Sequence, residues 1–338
     1  IDLDEIALET GPGWSVTPGD EAPPPALGRN EKATQDFSVS LAEDVPSSRP
    51  YFGRPSVQQP GYDLLDPEQF GQPAQREAAV AVARYRIEGV PVTMRRPVTR
   101  REARLPYGYE DRELMVVPEI GVRVHPASAI VPLGAAEKTV EIEVGLVNGW
   151  HGEIEGELAL RLPEGWTSEP ASHPFRFAQA GERAEYAFTV AVPSLEDRDY
   201  EIRAVAAARG KEFSQGYDVI EHRDYETRYL YHPAVATVRG IDVEMVPGLR
   251  VGYVMGVGDQ VPAGLAQLGA EVELLDTAAL ATGELSQYDA IVTGTRAYAV
   301  REDLHTYNRR LLDYAEAGGN LVVLYNTQEM QPSQHAPF

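Results

Sequence analysis

The chain of 338 residues contains no cysteine. This absence excludes disulfide bonds, thiolate metal sites and a cysteine nucleophile at once. It leaves the compartment open, because an exported protein can be stabilised by its hydrophobic cores alone. The fold and the function must therefore be found in other residue types.

Basic residues are scarce beside acidic ones, with 30 Lys and Arg against 52 Asp and Glu, and the formal net charge is −22. Such a surface repels phosphate backbones and anionic lipids, so we expect no nucleic-acid partner. No stretch approaches the roughly 20 apolar residues of a membrane helix, so we expect no membrane span. A hydrophobic content of 43% is ordinary for a globular protein.

Two glycine–tryptophan pairs, at Trp14 and Trp166, are each followed by a similar strand pattern. Trp14 precedes the run Phe37-Ser-Val-Ser-Leu41, and Trp166 precedes Phe188-Thr-Val-Ala-Val192. The copies stand about 150 residues apart, a distance far beyond solenoid periods, so the pattern indicates a domain duplication.

The second copy has the clearer strands. Val140, Ile142, Val144 and Leu146 alternate with polar residues, and similar runs follow between turn residues. The pattern predicts an immunoglobulin-like antiparallel β-sandwich over about residues 116–222. We expect the Trp166 ring to close one end of its core; the alternative is a platform for stacking a sugar.

The first copy is predicted to be a second β-sandwich, over residues 1–115. An insertion at about residues 46–80 has no counterpart in the second copy, and we expect Tyr51, Phe52 and Tyr62 to pack it. Neither end of the sequence resembles a natural terminus. We therefore expect a piece of a longer protein, with the opening strands of this first sandwich missing.

The pattern changes after a predicted linker at residues 223–248. Short apolar strands alternate with helical segments from Arg250 onward, which predicts a flavodoxin-like α/β domain with a parallel sheet over residues 249–338. We expect this domain to be truncated at its C-terminus. The fold class is thus multidomain, two immunoglobulin-like sandwiches followed by a truncated α/β domain.

Open parallel sheets bind ligands at the carboxyl ends of their strands. The residues that fall at or near such ends are Asp259, Asp276, Arg296, Tyr298 and Asn326. We name these five as candidate ligand-binding residues. The alternative is that they only cap strands and helices.

Other motifs are weaker. Gly256-x-Gly258 follows a strand, but the third glycine of a dinucleotide site is replaced by Val261. His222 and His232 flank the predicted linker and could meet in space as metal ligands. Five arginines between Arg95 and Arg104 either pair with acidic residues across a module boundary or form an anion site. We assign no catalytic residue and no metal ligand.

Two segments carry resemblances. Leu162-Pro-Glu-Gly-Trp166 with its flanking strands resembles the NEW-type β-sandwich that accompanies carbohydrate-active enzymes. Gly294-Thr-Arg-Ala-Tyr298 and Gly318 to Asn326 are similar to class I glutamine-amidotransferase-like domains. The order of modules, together with the run from Pro50 to Pro55, resembles the C-terminal region of bacterial LmbE/PIG-L family deacetylases.

The resemblance implies a secreted or periplasmic bacterial protein in which this region is non-catalytic. The parent activity would be zinc-dependent removal of N-acetyl groups from N-acetylglucosaminyl-type substrates. The family's zinc motif is missing here, so zinc would belong to a catalytic domain upstream, and no cofactor is expected in this region. Its partners would be that deacetylase domain and a carbohydrate or glycoconjugate. The alternative is a glycan-binding or adhesion module of a bacterial surface protein without an attached enzyme.

Overall fold

The computed structural model describes residues 1–42, 45–54, 59–106, 108–135, 138–222 and 225–327. Pro55, His335 and the C-terminal part of the predicted α/β domain beyond residue 327 lie outside these residues. The described chain is mostly β-structure, and its α-helices are confined to its last part.

The second module is a β-sandwich, as predicted. One sheet has the strand order β10-β12-β16-β14, and the other has the order β11-β21-β17-β13-β15, with β18 paired to β17. The strands are β10 (Ile120–His125), β11 (Ser128–Pro132), β12 (Thr139–Asn148), β13 (Ile154–Arg161), β14 (Thr167–Glu169), β15 (Ser172–Phe177), β16 (Arg183–Ala191), β17 (Asp199–Ala208), β18 (Lys211–Phe213), β19 (Gln215–His222), β20 (Tyr225–Pro233) and β21 (Val235–Ile241).

The core of the sandwich follows the alternation in the sequence. Along β12, Val140, Ile142, Val144 and Leu146 are buried, and the glutamates between them are exposed. These side chains belong to one hydrophobic cluster with residues of the facing sheet such as Leu158. Each fully buried aliphatic side chain contributes about 1.5–3 kcal/mol, so this cluster is what holds the two sheets together.

The prediction of a linker at residues 223–248 is wrong, because most of these residues belong to the strands β20 and β21. Strand β20 pairs with β19 in a two-stranded ribbon, and β21 lies between β11 and β17 in the sandwich. Ala236 and Val238 of β21 are fully buried, because this short alternating run completes the inner face of the sheet. The sandwich therefore extends to Ile241.

The first module does not close into a sandwich within the described residues, contrary to the sequence prediction. Its sheets have the orders β1-β6-β7, β2-β3, β4-β5 and β8-β9. The strands are β1 (Asp2–Thr10), β2 (Trp14–Pro18), β3 (Phe37–Leu41), β4 (Phe52–Gly53), β5 (Asp63–Leu64), β6 (Ala79–Ile87), β7 (Val90–Pro97), β8 (Thr99–Arg104) and β9 (Gly108–Glu113). Of its described apolar side chains only Ala79 and Val82 are fully buried, because no second sheet covers its apolar faces.

The predicted insertion is ordered by aromatic packing, as expected. The rings of Tyr51 and Phe52 lie 5.0 Å apart, and those of Phe52 and Tyr62 lie 5.3 Å apart. Both pairs have the edge-to-face geometry that aromatic quadrupoles favour. A short 3₁₀ turn at Pro67–Gln69 follows.

The last described part is a four-stranded parallel sheet with the order β23-β22-β24-β25. Its elements are β22 (Arg250–Val254), α1 (Val261–Gln267), β23 (Glu271–Leu274), α2 (Thr277–Thr282), β24 (Ala290–Thr293), α3 (Ala297–Val300), α4 (Glu302–Glu316) and β25 (Asn320–Val323), with a 3₁₀ turn at Leu285–Gln287. Ile291 packs in one apolar cluster and its neighbour Val292 in another, as expected where both faces of a sheet are covered.

This sheet is tied to the sandwich by helix α1. The side-chain oxygen of Gln267, at the end of α1, accepts a hydrogen bond of 2.7 Å from the backbone N–H of Ile130 in β11. The contact joins the first crossover helix of the parallel sheet to an edge strand of the sandwich.

Candidate functional site

The carboxyl edge of the parallel sheet contains a reversal of strand order. After β22 the chain passes to β23 on one side and then returns to β24 on the other. The loops that follow β22 and β24 leave the sheet at neighbouring points. In open sheets this is where a ligand crevice forms.

In this chain the two loops are in contact. The N–H of Val257 donates to the carbonyl of Thr295 over 3.1 Å. A Cβ atom on Gly256 would lie 2.0 Å from the same carbonyl oxygen, so only glycine permits the approach. The crevice at the strand reversal is therefore filled by backbone.

The Asp259 carboxylate stabilises the contact between the two loops by accepting three hydrogen bonds. One carboxylate oxygen accepts from the hydroxyl of Tyr253 at 2.7 Å and from the N–H of Val261 at 3.1 Å, and the other accepts from the N–H of Thr295 at 3.2 Å. Burial, with the hydrogen bond to Asp259, raises the pKa of the Tyr253 hydroxyl, so this donor keeps its proton. The Asp259 carboxylate holds two loops together and is engaged with protein donors.

Arg296 occupies a conformationally special position. It lies between β24 and α3 with φ 52° and ψ 29°, the left-handed region that non-glycine residues rarely adopt. Its backbone N–H donates to the carbonyl of Tyr325 over 2.7 Å. A strained turn between a strand and a helix is the geometry that presents a nucleophile in hydrolases, and here the side chain is a guanidinium.

Tyr298 is part of the core. Its hydroxyl donates to the side-chain oxygen of Asn308 over 2.8 Å, and both residues are buried. Burial raises the pKa of Tyr298 to about 12. The prediction placed this side chain at the sheet edge, but the structure packs it between α3 and α4, because its position in the first turn of α3 faces the long helix.

Asp276 caps helix α2 by accepting a hydrogen bond of 2.8 Å from the N–H of Ala279. A neighbouring ion pair joins Arg301 to Asp303, and the Thr277 hydroxyl also donates to Asp303 over 2.7 Å. The hydrogen bond from Arg301, assisted by the one from Thr277, lowers the pKa of Asp303 to about 2. The sequence analysis missed this pair, since nothing in the spacing of Arg301 and Asp303 distinguishes it from the many other charged residues of the chain.

Asn326 is bound to its own turn, with the side-chain N–H₂ donating to the carbonyl of Leu324 over 2.9 Å. In the described part of the chain, its side-chain oxygen is buried without a hydrogen-bond partner, and so are the hydroxyls of Thr293 and Thr327. These oxygens belong to the carboxyl ends of β24 and β25. They are buried oxygens at this edge with hydrogen-bonding capacity left over.

Of the five candidate residues, the structure brings Asp259 to the loop that leads into Arg296. It places Tyr298 beneath that loop, and it gives Asp276 the role of a helix cap. Tyr253 was missed because it stands inside an apolar strand. A hydroxyl in such a strand, six residues before an aspartate, was the only signal in the sequence.

Trp166 and Trp150, both in the second module, differ in their exposure. Trp166 is 7% exposed and its ring lies 5.3 Å from that of Tyr200, which confirms its structural role.

Trp150 is 36% exposed, with the guanidinium of Arg209 3.5 Å from its ring centroid. Asn148 is buried and orders this loop, accepting from the N–H of Trp150 at 2.8 Å. The sequence analysis passed over Trp150 because it lies outside the repeat.

Four of the five arginines in the cluster form ion pairs among the described residues, and one of these pairs crosses the module boundary as predicted. Arg104 binds Glu110 over 2.7 Å and Glu221 over 3.5 Å, and Glu221 belongs to β19 of the second module. The remaining pairs are Arg95 with Glu9, Arg100 with Glu102, and Arg101 with Asp111. The Arg104 to Glu221 pair bridges the modules, and the pairs of Arg95, Arg100 and Arg101 lie within the first module.

A cavity of about 450 Å³ lies where this network meets the ribbon of β19 and β20. Its lining includes Arg112, Tyr225 and Tyr229. No sequence pattern marked it, because its walls come from segments more than 100 residues apart.

The two histidines proposed to meet do not. His222 is paired with Tyr225 at the tip of the ribbon, and His232 is paired with Gly216 at its base. Six residues of a strand separate the two places, about 20 Å at 3.3 Å per residue. Among the described residues no group of three or more His, Asp or Glu side chains is arranged to hold a metal ion, so zinc does not fit this part of the chain.

The longest helix in the described ranges is α4, with 15 residues, and no helix there has the length and apolar character needed to cross a bilayer.

No protein-family model matches the chain, and no curated protein matches it in sequence. Among solved structures, the apo-form Calx CBD1 domain is similar at 12% identity with a TM-score of 0.22, over 38% of this chain and 100% of that chain. The cupredoxin domain of amoB from Nitrosocaldus yellowstonii is similar at 10% identity with a TM-score of 0.23, over 38% and 93%. The E. coli chaperone DraB is similar at 11% identity with a TM-score of 0.20, over 37% and 58%. These TM-scores are too low to carry a functional inference. The strands of the chain itself show a mostly β protein that contains a β-sandwich.

Proposed function

We propose that this chain is a non-catalytic accessory region of a zinc-dependent N-deacetylase of the LmbE/PIG-L type. The support is the order of its parts, strands related by duplication followed by a parallel α/β sheet, together with the turn at Arg296. The α/β sheet is then an amidotransferase-like domain of flavodoxin-like topology. The parent enzyme would act on N-acetylglucosaminyl compounds outside the cytoplasm.

The turn at Arg296 is the observation that carries this proposal. A non-glycine residue in the left-handed region destabilises a fold by about 1–3 kcal/mol. Such strained residues cluster at active sites, where the turn presents a catalytic side chain. Here the side chain is a guanidinium, which stays protonated and cannot attack a carbonyl. The turn therefore fits a domain that has kept the architecture of an enzyme and uses it for packing or binding.

Contacts across the chain suit a scaffolding role. The Gln267 to Ile130 hydrogen bond joins the α/β sheet to the sandwich. The Arg104 to Glu221 ion pair joins the sandwich to the first module. A catalytic domain joined to this region would be positioned by these contacts relative to any surface that the region binds.

An acetate-release assay tests the proposal. With N,N′-diacetylchitobiose and zinc sulfate, the purified chain is expected to release no acetate above the zinc-only background. Added to the catalytic domain of an LmbE/PIG-L deacetylase, it is expected to co-elute with that domain and to lower its KM severalfold. Acetate release by the chain alone would contradict the non-catalytic assignment. Failure both to bind the deacetylase domain and to change its kinetics would contradict the accessory role.

Glycan binding without an attached enzyme is a second candidate, and the exposed ring of Trp150 favours it. A partly exposed indole on an ordered loop offers the flat apolar surface on which sugar rings stack. Arg209, beside the indole, offers hydrogen-bond donors to ring hydroxyls. The buried Asn148 keeps this loop in one conformation, which lowers the entropy cost of binding.

A glycan array followed by calorimetry tests this second candidate. Trp150→Ala is expected to weaken binding of a positive glycan by about 3–10-fold, the worth of one aromatic contact. Arg296→Ala is the control and is expected to leave binding unchanged. Loss of binding with Arg296→Ala but not with Trp150→Ala would instead move the site to the edge of the parallel sheet.

A further inference from the structure

The cavity of about 450 Å³ between the first module and the ribbon of β19 and β20 has the size of a small-molecule site. One wall comes from the hairpin of β8 and β9, and another comes from β20. Pro50, Pro97 and Met115 add apolar surface to a lining that is otherwise largely polar. Such walls suit a ligand that combines polar groups with a hydrocarbon skeleton.

The walls are held relative to one another by contacts between the modules. Arg49 donates a hydrogen bond of 2.8 Å to the side-chain oxygen of Gln215, at the start of β19. Arg112, which lines the cavity itself, forms an ion pair with Glu221 of the same strand. The cavity is therefore formed in the free chain, and a preformed site lowers the entropy cost of binding.

The charges that line this cavity have an excess of one negative charge. The charged side chains of the lining are Glu110, Asp111, Arg112, Glu113 and Arg228. Ion pairs join Glu110 to Arg104, Asp111 to Arg101, and Arg112 to Glu102. Arg228 also has an interaction partner. Four of the five charged side chains are therefore engaged with the protein.

Glu113 is different, because within the described residues its side chain has no ion pair and no hydrogen bond. It lies at the end of β9, directly opposite Thr99 of β8, and both residues line the cavity. Since the lining carboxylates outnumber the guanidiniums and the whole chain has a net charge of −22, a cation is favoured here over an anion.

The remaining lining distinguishes between kinds of cation. Among the described residues no group of three or more acidic or histidine side chains is arranged to hold a metal ion. Tyr225 and Tyr229 line the cavity, and aromatic rings attract organic cations through their π-systems. The Thr227 hydroxyl oxygen is buried and has no hydrogen-bond partner in the part of the chain that the structure describes. These groups favour an organic ammonium ion that also has hydroxyls.

We propose that this cavity binds a small hydroxylated ammonium compound, a ligand of the amino-sugar class. Its ammonium group would bind the carboxylate of Glu113 beside the tyrosine rings. One of its hydroxyls would bind the hydroxyl of Thr227, which is otherwise left without a partner. Its carbon skeleton would lie against Pro97 and Met115.

Saturation-transfer NMR titrations of the whole chain with D-glucosamine, D-glucose and N-acetyl-D-glucosamine test the proposal. The three sugars have similar ring hydroxyls, and only D-glucosamine has an ammonium group. At low salt we expect a dissociation constant in the millimolar range for D-glucosamine. Binding of the two neutral sugars is expected to be at least about tenfold weaker, because they lack the ion pair and the cation–π contact.

Two variants of the lining provide the second arm. Glu113→Gln is expected to weaken D-glucosamine binding by about 3–10-fold, and Thr227→Val by about 2–5-fold. Neither side chain has a hydrogen bond that the substitution would break, so the circular dichroism of both variants is expected to match that of the parent. The matched control is Glu155→Gln, which removes an exposed carboxylate on β13 and is expected to leave binding unchanged.

Equal affinity for D-glucosamine and D-glucose would overturn the proposal, and so would absence of D-glucosamine binding. Equal losses for Glu113→Gln and Glu155→Gln would also overturn it, because they would show diffuse attraction to an acidic surface. This binding needs no deacetylase domain, so its failure and the failure of the accessory role would be separate results.

Discussion

Replacing Trp166 with alanine is expected to lower the free energy of unfolding of the sandwich by about 3–5 kcal/mol. The ring is 7% exposed and packs beside Tyr200 in the main hydrophobic cluster. Removal of the indole leaves a cavity that strands on both sides cannot close, because each is held in register by hydrogen bonds. Urea denaturation followed by far-ultraviolet circular dichroism measures the change.

Trp14→Ala is the matched control, because the duplication puts the same residue at the same place in an open module. Trp14 is only half-buried, and no second sheet formed by the described residues covers its surroundings. We expect the substitution to cost about 1 kcal/mol or less. A loss below about 1 kcal/mol for Trp166→Ala, or equal losses for the two variants, would contradict the packing described here.

Gly256→Ala is expected to destabilise the parallel sheet by about 1–3 kcal/mol or more. The new methyl group would meet the carbonyl oxygen of Thr295 at 2.0 Å and the N–H nitrogen of Ala297 at 3.0 Å. Both are backbone atoms, so relief requires the loops after β22 and β24 to separate. That movement would also strain the three hydrogen bonds that Asp259 accepts.

Gly264→Ala in helix α1 is the control for this second prediction. No atom lies within 4 Å of the added methyl group, and an alanine in a helix is favoured over glycine by about 0.5–1 kcal/mol. Thermal unfolding followed by near-ultraviolet circular dichroism is therefore expected to show opposite shifts for the two glycine variants. A neutral Gly256→Ala would mean that the loops are not in contact.

The sequence located most elements of the parallel sheet, because their signals are local. The short apolar strands predicted from Arg250 onward are present as β22 to β25, with the long helix α4 between β24 and β25. Short helices such as α2 were missed, since six residues are too few to show an apolar period. The linker was misassigned because β21 is short and is paired only with strands distant in the chain.

The candidate site was predicted by position and not by contact. The rule that strand ends meet at one edge led to the region of Asp259 and Arg296, and ligand binding there stays a prediction. It could not show that Asp259 is engaged by Tyr253 and Thr295, or that Tyr298 is turned into the core. Those outcomes depend on the approach of two loops, which no single stretch of sequence encodes.

The sequence by itself determined the duplication, the alternating strands of the sandwich, the absence of thiol chemistry and the acidic surface. Each of these follows from residue identity or from a period of two residues along one segment. The tertiary structure alone decided that Trp166 is buried while Trp14 is only half-buried. The two tryptophans have similar neighbours in the chain, and their burial differs because, among the described residues, a second sheet covers the surroundings of Trp166 and none covers those of Trp14.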